Sequence, residues 1–247
     1  IACPRSGGVP HELSTREVRE TIETYVMCAV HCIEGGMDGV EIHGAQGHLI
    51  QQFLSPFSNR RTDAYGGSFE NRLRFAREIL ETCRQRIGPR PILGFRLGVE
   101  EFTDGGLSID DTLEIARTIC SEGLADYISL AQGNFNSIEQ HLPDRHWPLL
   151  SFRGLHNRFK AVANGIPVVL STRIQGPEQA EDVLAAGEAD MIGMCRALIV
   201  DPEWPLKARS GRADEIRRCI ACNQCWGWIS AGEPIALFKT RRVWVAG

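Results

Sequence analysis

Five short apolar runs constrain the fold of this chain more than anything else in it. They cover 39–43, 92–97, 127–130, 167–171 and 191–194, each bounded by turn residues and followed by a segment of helical character. Strands this uniformly apolar must be covered on both faces. Strand–helix alternation supplies that cover, so the sequence predicts an α/β protein whose parallel sheet is wrapped in helices. The helix signals agree. Ser14 and Glu17 form a capping-box pattern, Val18, Ile22, Val26, Ala29 and Ile33 follow at helical spacing, and Gly35-Gly36 ends the run. A second helix is expected over 69–87, with Leu73, Ala76, Leu80 and Ile87 near one face. Ser108 caps a third that runs through Cys120, before Gly123. After an irregular stretch to about Asn157, helix is expected over 155–162, then over 177–186 with Pro177 in its first turn, and in a short closing piece over 202–210.

Doubly wound sheets and barrels both satisfy this alternation. The chain has no GxGxxG after any strand, which counts against a dinucleotide-binding doubly wound domain. Its conspicuous polar residues lie just after strands, as the C-terminal face of a (β/α)8 barrel requires. With 247 residues, 43% of them hydrophobic and 23% charged, one large domain with a full core is within reach. A net charge of −4 leaves no electrostatic footprint for nucleic acid, and no basic block suggests a membrane surface. No apolar run approaches the roughly 18 residues of a membrane span. The chain opens on Ile1 without a signal-peptide pattern, which reads as an excised segment of a cytoplasmic protein. Of nine cysteines, Cys3, Cys28, Cys32, Cys83, Cys120 and Cys195 are scattered and read as small apolar thiols in a reducing compartment. Cys219, Cys222 and Cys225 cluster within seven residues.

One stretch says more. Residues 38–67, DGVEIHGAQGHLIQQFLSPFSNRRTDAYGG, begin as a buried strand and end in a polar Gly-rich loop, with ENRLRF following at 70–75. A strand exit needs no His-Gly-Ala-Gln-Gly-His unless that end touches something polar. The composite resembles the signature of the Old Yellow Enzyme family of FMN-dependent oxidoreductases, and the likeness extends over about residues 10–234. It implies a (β/α)8 TIM barrel of which this chain holds roughly the last five βα units, with a partial barrel over 1–210 and a cysteine-rich segment over 211–247 leading out of it. Five such units alone would leave two open parallel edges, so poor solubility of the piece is expected. Earlier barrel strands and a later nucleotide-binding domain, with room for FAD, are implied elsewhere in the same protein.

The resemblance also assigns roles. His43 and Gln46 match the donor pair that holds a substrate carbonyl oxygen over the flavin. The physical need is plain, because hydride reaching the β-carbon pushes charge onto that oxygen. Gln46 replaces the usual His or Asn and still carries an amide donor. His48 stands where the family has a tyrosine that protonates the α-carbon, and a histidine, ordinarily titrating near 6.5, can act as an acid there. Arg96, within GFRLG, matches the arginine at the pyrimidine end of FMN. A guanidinium inside a buried strand otherwise needs a partner, so a core ion pair is the alternative. Thr172 and Arg173, then Cys195 and Arg196, match the two phosphate loops, where backbone N–H groups and arginine cradle an anion. The family has Gly at the Thr172 position and often at Cys195. Asn59, Arg60, Arg61, Asp63 and Tyr65 are expected to brace a loop over the active-site mouth, and Asn71 and Arg72 to anchor the following helix.

Cys219, Cys222 and Cys225 form CxxCxxC. Three thiolates at this spacing suit one face of a [4Fe–4S] cluster, and zinc is the alternative; both want a fourth ligand. The segment resembles the cluster loop of the branch containing trimethylamine dehydrogenase and 2,4-dienoyl-CoA reductase. There a fourth cysteine falls where this chain has Phe238, and the tail over 239–247 departs from the family pattern. The pocket also departs from the amine dehydrogenase, which carries Tyr and His at positions 43 and 46 and an acid at Ser129. The expected function is therefore NAD(P)H-linked, FMN-dependent reduction of an α,β-unsaturated carbonyl or enoyl thioester, a small-molecule substrate, with oligomerisation left open. Oxidative demethylation of a small N-methylated amine is the first alternative. A barrel remnant that binds no flavin is the second, and a zinc-binding interaction module the third.

Overall fold

The computed structural model describes residues 7–231. Cys3, Phe238 and the departing tail therefore lie outside the described residues. In order, the elements are α1 (Thr15–Glu34), β1 (Gly39–Gly44), α2 (Leu49–Leu54), α3 (Phe69–Ile87), β2 (Ile92–Gly98), α4 (Ile109–Ser121), β3 (Tyr127–Ala131), α5 (Ile138–His141), α6 (Arg153–His156), β4 (Val168–Ser171), α7 (Pro177–Ala185), β5 (Met191–Gly193), α8 (Arg196–Val200), α9 (Trp204–Arg209) and α10 (Gln224–Ala231). All five expected strands form one parallel sheet in the order β1-β2-β3-β4-β5. The expected 155–162 helix is instead the single turn α6 followed by a 3-10 turn at Asn157–Ala161. The closing helix shortens to α9.

Local chemistry explains the boundaries. Ser14 and Glu17 complete a reciprocal capping box at α1, and Ser108 does the same with Asp111 at α4. Each cap satisfies N–H groups that the first turn would otherwise leave open, and replacing such a cap costs about 1 kcal/mol. One face of the sheet packs on helices. Leu93, Phe95 and Leu97 of β2 are fully buried, beside Phe75, Ile79 and Leu80 of α3 and Ile115 and Ile119 of α4. Phe53 of α2 stacks on Phe75 with ring centroids 4.2 Å apart. Each such side chain contributes roughly 1.5–3 kcal/mol on leaving water, so this outer layer holds the fold together.

The other face lines a cavity, polar on β1 to β3 and largely apolar on β4 and β5. Strand residues alternate sides, and the register aligns His43, Arg96, Ser129, Val169 and Met191 across all five strands on that face. One step back lie Glu41, Gly94 and Tyr127. Gly94 is required there, since a Cβ on it would sit 2.2 Å from the Tyr127 ring. The Tyr127 hydroxyl passes over it to donate to Glu41 at 3.0 Å. After β5, Ile216 packs with Trp204 of α9, and Asp201 accepts from the Arg217 N–H at 2.9 Å. The start of the cysteine-rich segment is thereby seated against α9.

Candidate active site

Beyond Gly44 the backbone turns through two left-handed residues, Gln46 (φ 61°) and Gly47 (φ 78°). Helix α2 fixes that turn, because Gln51 accepts from the Gly47 N–H at 2.6 Å and Gln52 donates to the Gly47 carbonyl at 2.7 Å. The turn sets His43 and Gln46 on the wall of one cavity of about 980 Å³. His48 lies behind them, its ring centroid 4.7 Å from that of His43 and 5.8 Å from Phe135, and it is absent from the cavity wall. Burial, then the nearby His48, Arg96 and His141, push His43 down to about 4. At neutral pH it is an uncharged imidazole with one ring N–H to donate, and its buried Nδ1 has no hydrogen-bond partner. Burial lowers His48 as well.

Arg96 occupies the centre of the cavity wall. Its Nη1 lies 3.7 Å from Glu41 Oε1, so the ion pair and the cavity-facing position coexist. Its Nε is buried without a partner, as is the Ser129 hydroxyl beside it. Glu41 is engaged from both sides, by Arg96 and by the Tyr127 hydroxyl.

The loops after β4 and β5 close the far end. Thr172 (φ 91°) and Arg173 (φ 59°) are consecutive left-handed residues, and for a β-branched side chain this is a strained conformation. The Thr172 hydroxyl donates to buried Gln132 at 2.8 Å. Arg173 donates to the Trp147 carbonyl at 2.8 Å, while its Nε is buried and unpartnered. Burial and then the like charge of Arg196 hold Arg173 below its ordinary basicity. Arg196 donates to the Pro143 carbonyl at 2.8 Å and to Asn223 Oδ1 at 2.5 Å. Two neighbouring guanidiniums, one with a buried open donor, form a charge excess that a bound anion relieves. A flavin phosphate fits that end, and the open donors of Arg96, Ser129 and His43 fit a polar ring system along the wall. Cys195 is exposed on the same rim.

The cysteine segment curls onto this rim through left-handed Ala221 (φ 50°) and Asn223 (φ 58°), and Cys219 Sγ accepts from the Ala221 N–H at 3.3 Å. Cys219 and Cys225 line the cavity, whereas Cys222 is exposed. Burial, then Cys219, raises Cys225. Among the described residues no three His, Cys, Asp or Glu side chains are gathered in a way that would hold a metal. The loop has the N–H···S bond and tight turns of a ligand loop, but its thiols are not drawn to one point.

The structure also adds residues. Gln132 and His141 line the cavity from the irregular stretch after β3, where no periodicity marks them. Buried Glu101 accepts from Ser55, from the Leu107 N–H at 2.7 Å and from Asn134 at 3.1 Å, joining the loops after β1, β2 and β3. The 59–65 loop is braced as expected, but toward α1 and away from the cavity mouth. Arg61 pairs with Asp63 and donates to the Leu13 carbonyl, and Thr15 donates to Asp63 at 3.1 Å. Arg72 anchors α3 through the Leu54 carbonyl at 2.9 Å.

A parallel sheet wrapped by helices, with an arginine-bearing cleft at the C-terminal ends of its strands, is the arrangement in which barrel folds hold anionic ligands. Comparison with known proteins supplies the family. Residues 4–215 match the family described as NADH:flavin oxidoreductase / NADH oxidase, and the chain belongs to it. An NADH oxidase of Thermoanaerobacter brockii is 40% identical over 227 residues, which cover 90% of this chain and 34% of that protein. An N,N-dimethylglycine/sarcosine dehydrogenase of Chromohalobacter salexigens is 34% identical, over 86% of this chain and 31% of its own. Among solved structures, a 2-naphthoyl-CoA reductase in complex with 2-naphthoyl-CoA superposes with a TM-score of 0.93 at 30% identity, over 98% of this chain and 37% of that one. The chain thus spans about a third of the length of the relatives it matches. The expected family and the barrel fold are borne out. No helix among the described residues is long and apolar enough to cross a membrane.

Proposed function

We propose that this chain forms the FMN-binding part of an enzyme that reduces an α,β-unsaturated carbonyl or enoyl thioester at the expense of NADH or NADPH. The observation that carries the reading is the buried, unpartnered Nδ1 of His43, next to Gln46 on a wall that carries three arginines against the single carboxylate of Glu41. Bound FMN supplies the hydride. His43 and the Gln46 amide hold the carbonyl oxygen and stabilise the charge that grows there. Arg96 serves the pyrimidine end of the flavin. The loop N–H groups at Thr172 and Cys195, with Arg173 and Arg196, serve its phosphate. His48 backs the His43 ring from outside the cavity wall, so it would deliver the proton for the α-carbon through an intervening water, as the protonated imidazole that burial disfavours.

In this reading Cys219, Cys222 and Cys225 would supply three of the four ligands of a [4Fe–4S] cluster once their thiols are drawn together. The cluster would pass electrons from a nucleotide-binding domain, with FAD, elsewhere in the protein. A second reading, oxidative demethylation of a small N-methylated amine, is favoured by the likeness to the dimethylglycine/sarcosine dehydrogenase. The cleft speaks against it, because a cationic amine needs an open carboxylate and Glu41 is already engaged.

Anaerobically purified full-length protein separates the two. The flavin band is expected to bleach with NADH or NADPH and return on adding an enone or enoyl thioester. Bleaching by a methylated amine alone would establish the second reading, and a folded protein without flavin would refute both. His43→Ala is expected to retain flavin and to bind a carbonyl ligand about 10²-fold more weakly.

A further inference from the structure

The cysteine segment is held by the same loops that build the anion end of the cleft. Gln175, just past Arg173, donates to the Cys219 carbonyl at 2.5 Å. Gln175 is itself fixed, since Trp204 Nε1 donates to its carbonyl at 2.8 Å. Asn223, between Cys222 and Cys225, makes two side-chain bonds of opposite sense. Its Oδ1 accepts from Arg196 Nη1 at 2.5 Å and its Nδ2 donates to the Leu142 carbonyl at 2.8 Å. The neighbouring Pro143 carbonyl takes a second bond from the same Arg196 nitrogen. With Nη1 held on that side, the remaining edge of the Arg196 guanidinium is left for the cleft, where Arg173 brings its unpartnered Nε.

We propose that Asn223 is a positioning residue for the flavin phosphate. It pins Arg196 in the orientation that meets the phosphate, and so couples occupation of the cradle to the seating of the cysteine segment. The inference rests on reading Arg196 as a phosphate ligand. Physically it is a linkage. A flexible guanidinium loses rotamer freedom on binding an anion, and an acceptor that has already fixed it removes that cost. By reciprocity, an anion that fixes Arg196 strengthens the Arg196–Asn223 bond and holds the cysteine segment down.

The test compares Kd for FMN and for riboflavin, which lacks the phosphate, by flavin fluorescence quenching in the complete protein. Asn223→Gly is the informative variant, because glycine keeps the left-handed backbone at φ 58° while removing both side-chain bonds. Arg196→Ala should weaken FMN binding by tenfold or more. Asn223→Gly should weaken it about tenfold and leave riboflavin unchanged, and the double variant of Asn223→Gly with Arg196→Ala should be no weaker than Arg196→Ala. In parallel, in protein freed of iron and sulfide, FMN should slow alkylation of exposed Cys222 by iodoacetamide in the wild type but not in Asn223→Gly.

If Arg196→Ala binds FMN like the wild type, the phosphate-ligand reading falls and takes this inference with it. If Arg196→Ala is weakened while Asn223→Gly is not, or if the two losses simply add, only the positioning role of Asn223 falls. Equal loss of FMN and riboflavin in Asn223→Gly would show a general structural defect instead, and would also overturn it.

Discussion

His156 gives the sharpest quantitative prediction. It ends the short helix α6, its ring is wholly buried, and neither ring nitrogen has a hydrogen-bond partner. Burial, with a smaller push from Arg96, lowers it to about 3, against 6.5 for a solvated imidazole. Between those values the unfolded chain binds a proton that the folded chain refuses. Stability is therefore complete above about pH 6.5 and drains away as pH falls, at up to about 1.4 kcal/mol per unit, which makes about 2 kcal/mol by pH 5. His156→Leu removes the titrating group and fills a similar volume with carbon. At pH 7.5 the variant should match or exceed the wild type, since it loses two unsatisfied buried nitrogens, each of which costs on the order of 1–3 kcal/mol in desolvation. At pH 5 its advantage should grow by about a further 2 kcal/mol. Urea denaturation at the two pH values reads this directly. Parallel losses in both proteins between pH 7.5 and 5 would refute the argument and mean that the imidazole finds a partner or a proton in the folded state.

Two further substitutions probe the loops around the cleft. Glu101→Ala strands three donors in the buried junction of the loops after β1, β2 and β3. It should cost about 3 kcal/mol in a denaturation experiment, with part regained in Glu101→Gln, and an unchanged midpoint would remove Glu101 as the tie between the loops. Thr172→Gly relieves a β-branched residue at φ 91° and clears a Cβ from the proposed phosphate cradle, while leaving Gln132 without its donor. Clearing the Cβ should prevail, tightening FMN binding about fivefold by fluorescence titration. Weaker binding would show that the Thr172 hydroxyl contributes more to the site than its Cβ obstructs.

How far the sequence reached follows from the range of each rule. The strands were legible because apolar runs between turn residues need no partner to be recognised, and α1 and α4 because their caps are written within four residues. Helices α2 and α8 were missed because six and five residues are too few for a 3.6-residue period to declare itself. In the site, His43 and Arg96 lie within strands, where alternation fixes a side chain to one face and a parallel register brings the two side by side. His48 lies past the strand end. There parity no longer applies, and the left-handed turn at Gln46 and Gly47 sends its ring behind His43 instead of onto the cavity wall. The Arg196–Asn223 contact spans 27 residues that include α8 and α9, so no spacing rule reaches it. Thr172 belongs to an intermediate case. The resemblance implies a glycine where this chain has Thr172, but only the backbone angle shows that Thr172 occupies the glycine-type conformation without glycine's freedom, and only the bond to Gln132 shows what holds it there. A departure from a family pattern thus marks where to look; whether it abolishes or merely strains the site is decided by contacts from elements distant in the chain.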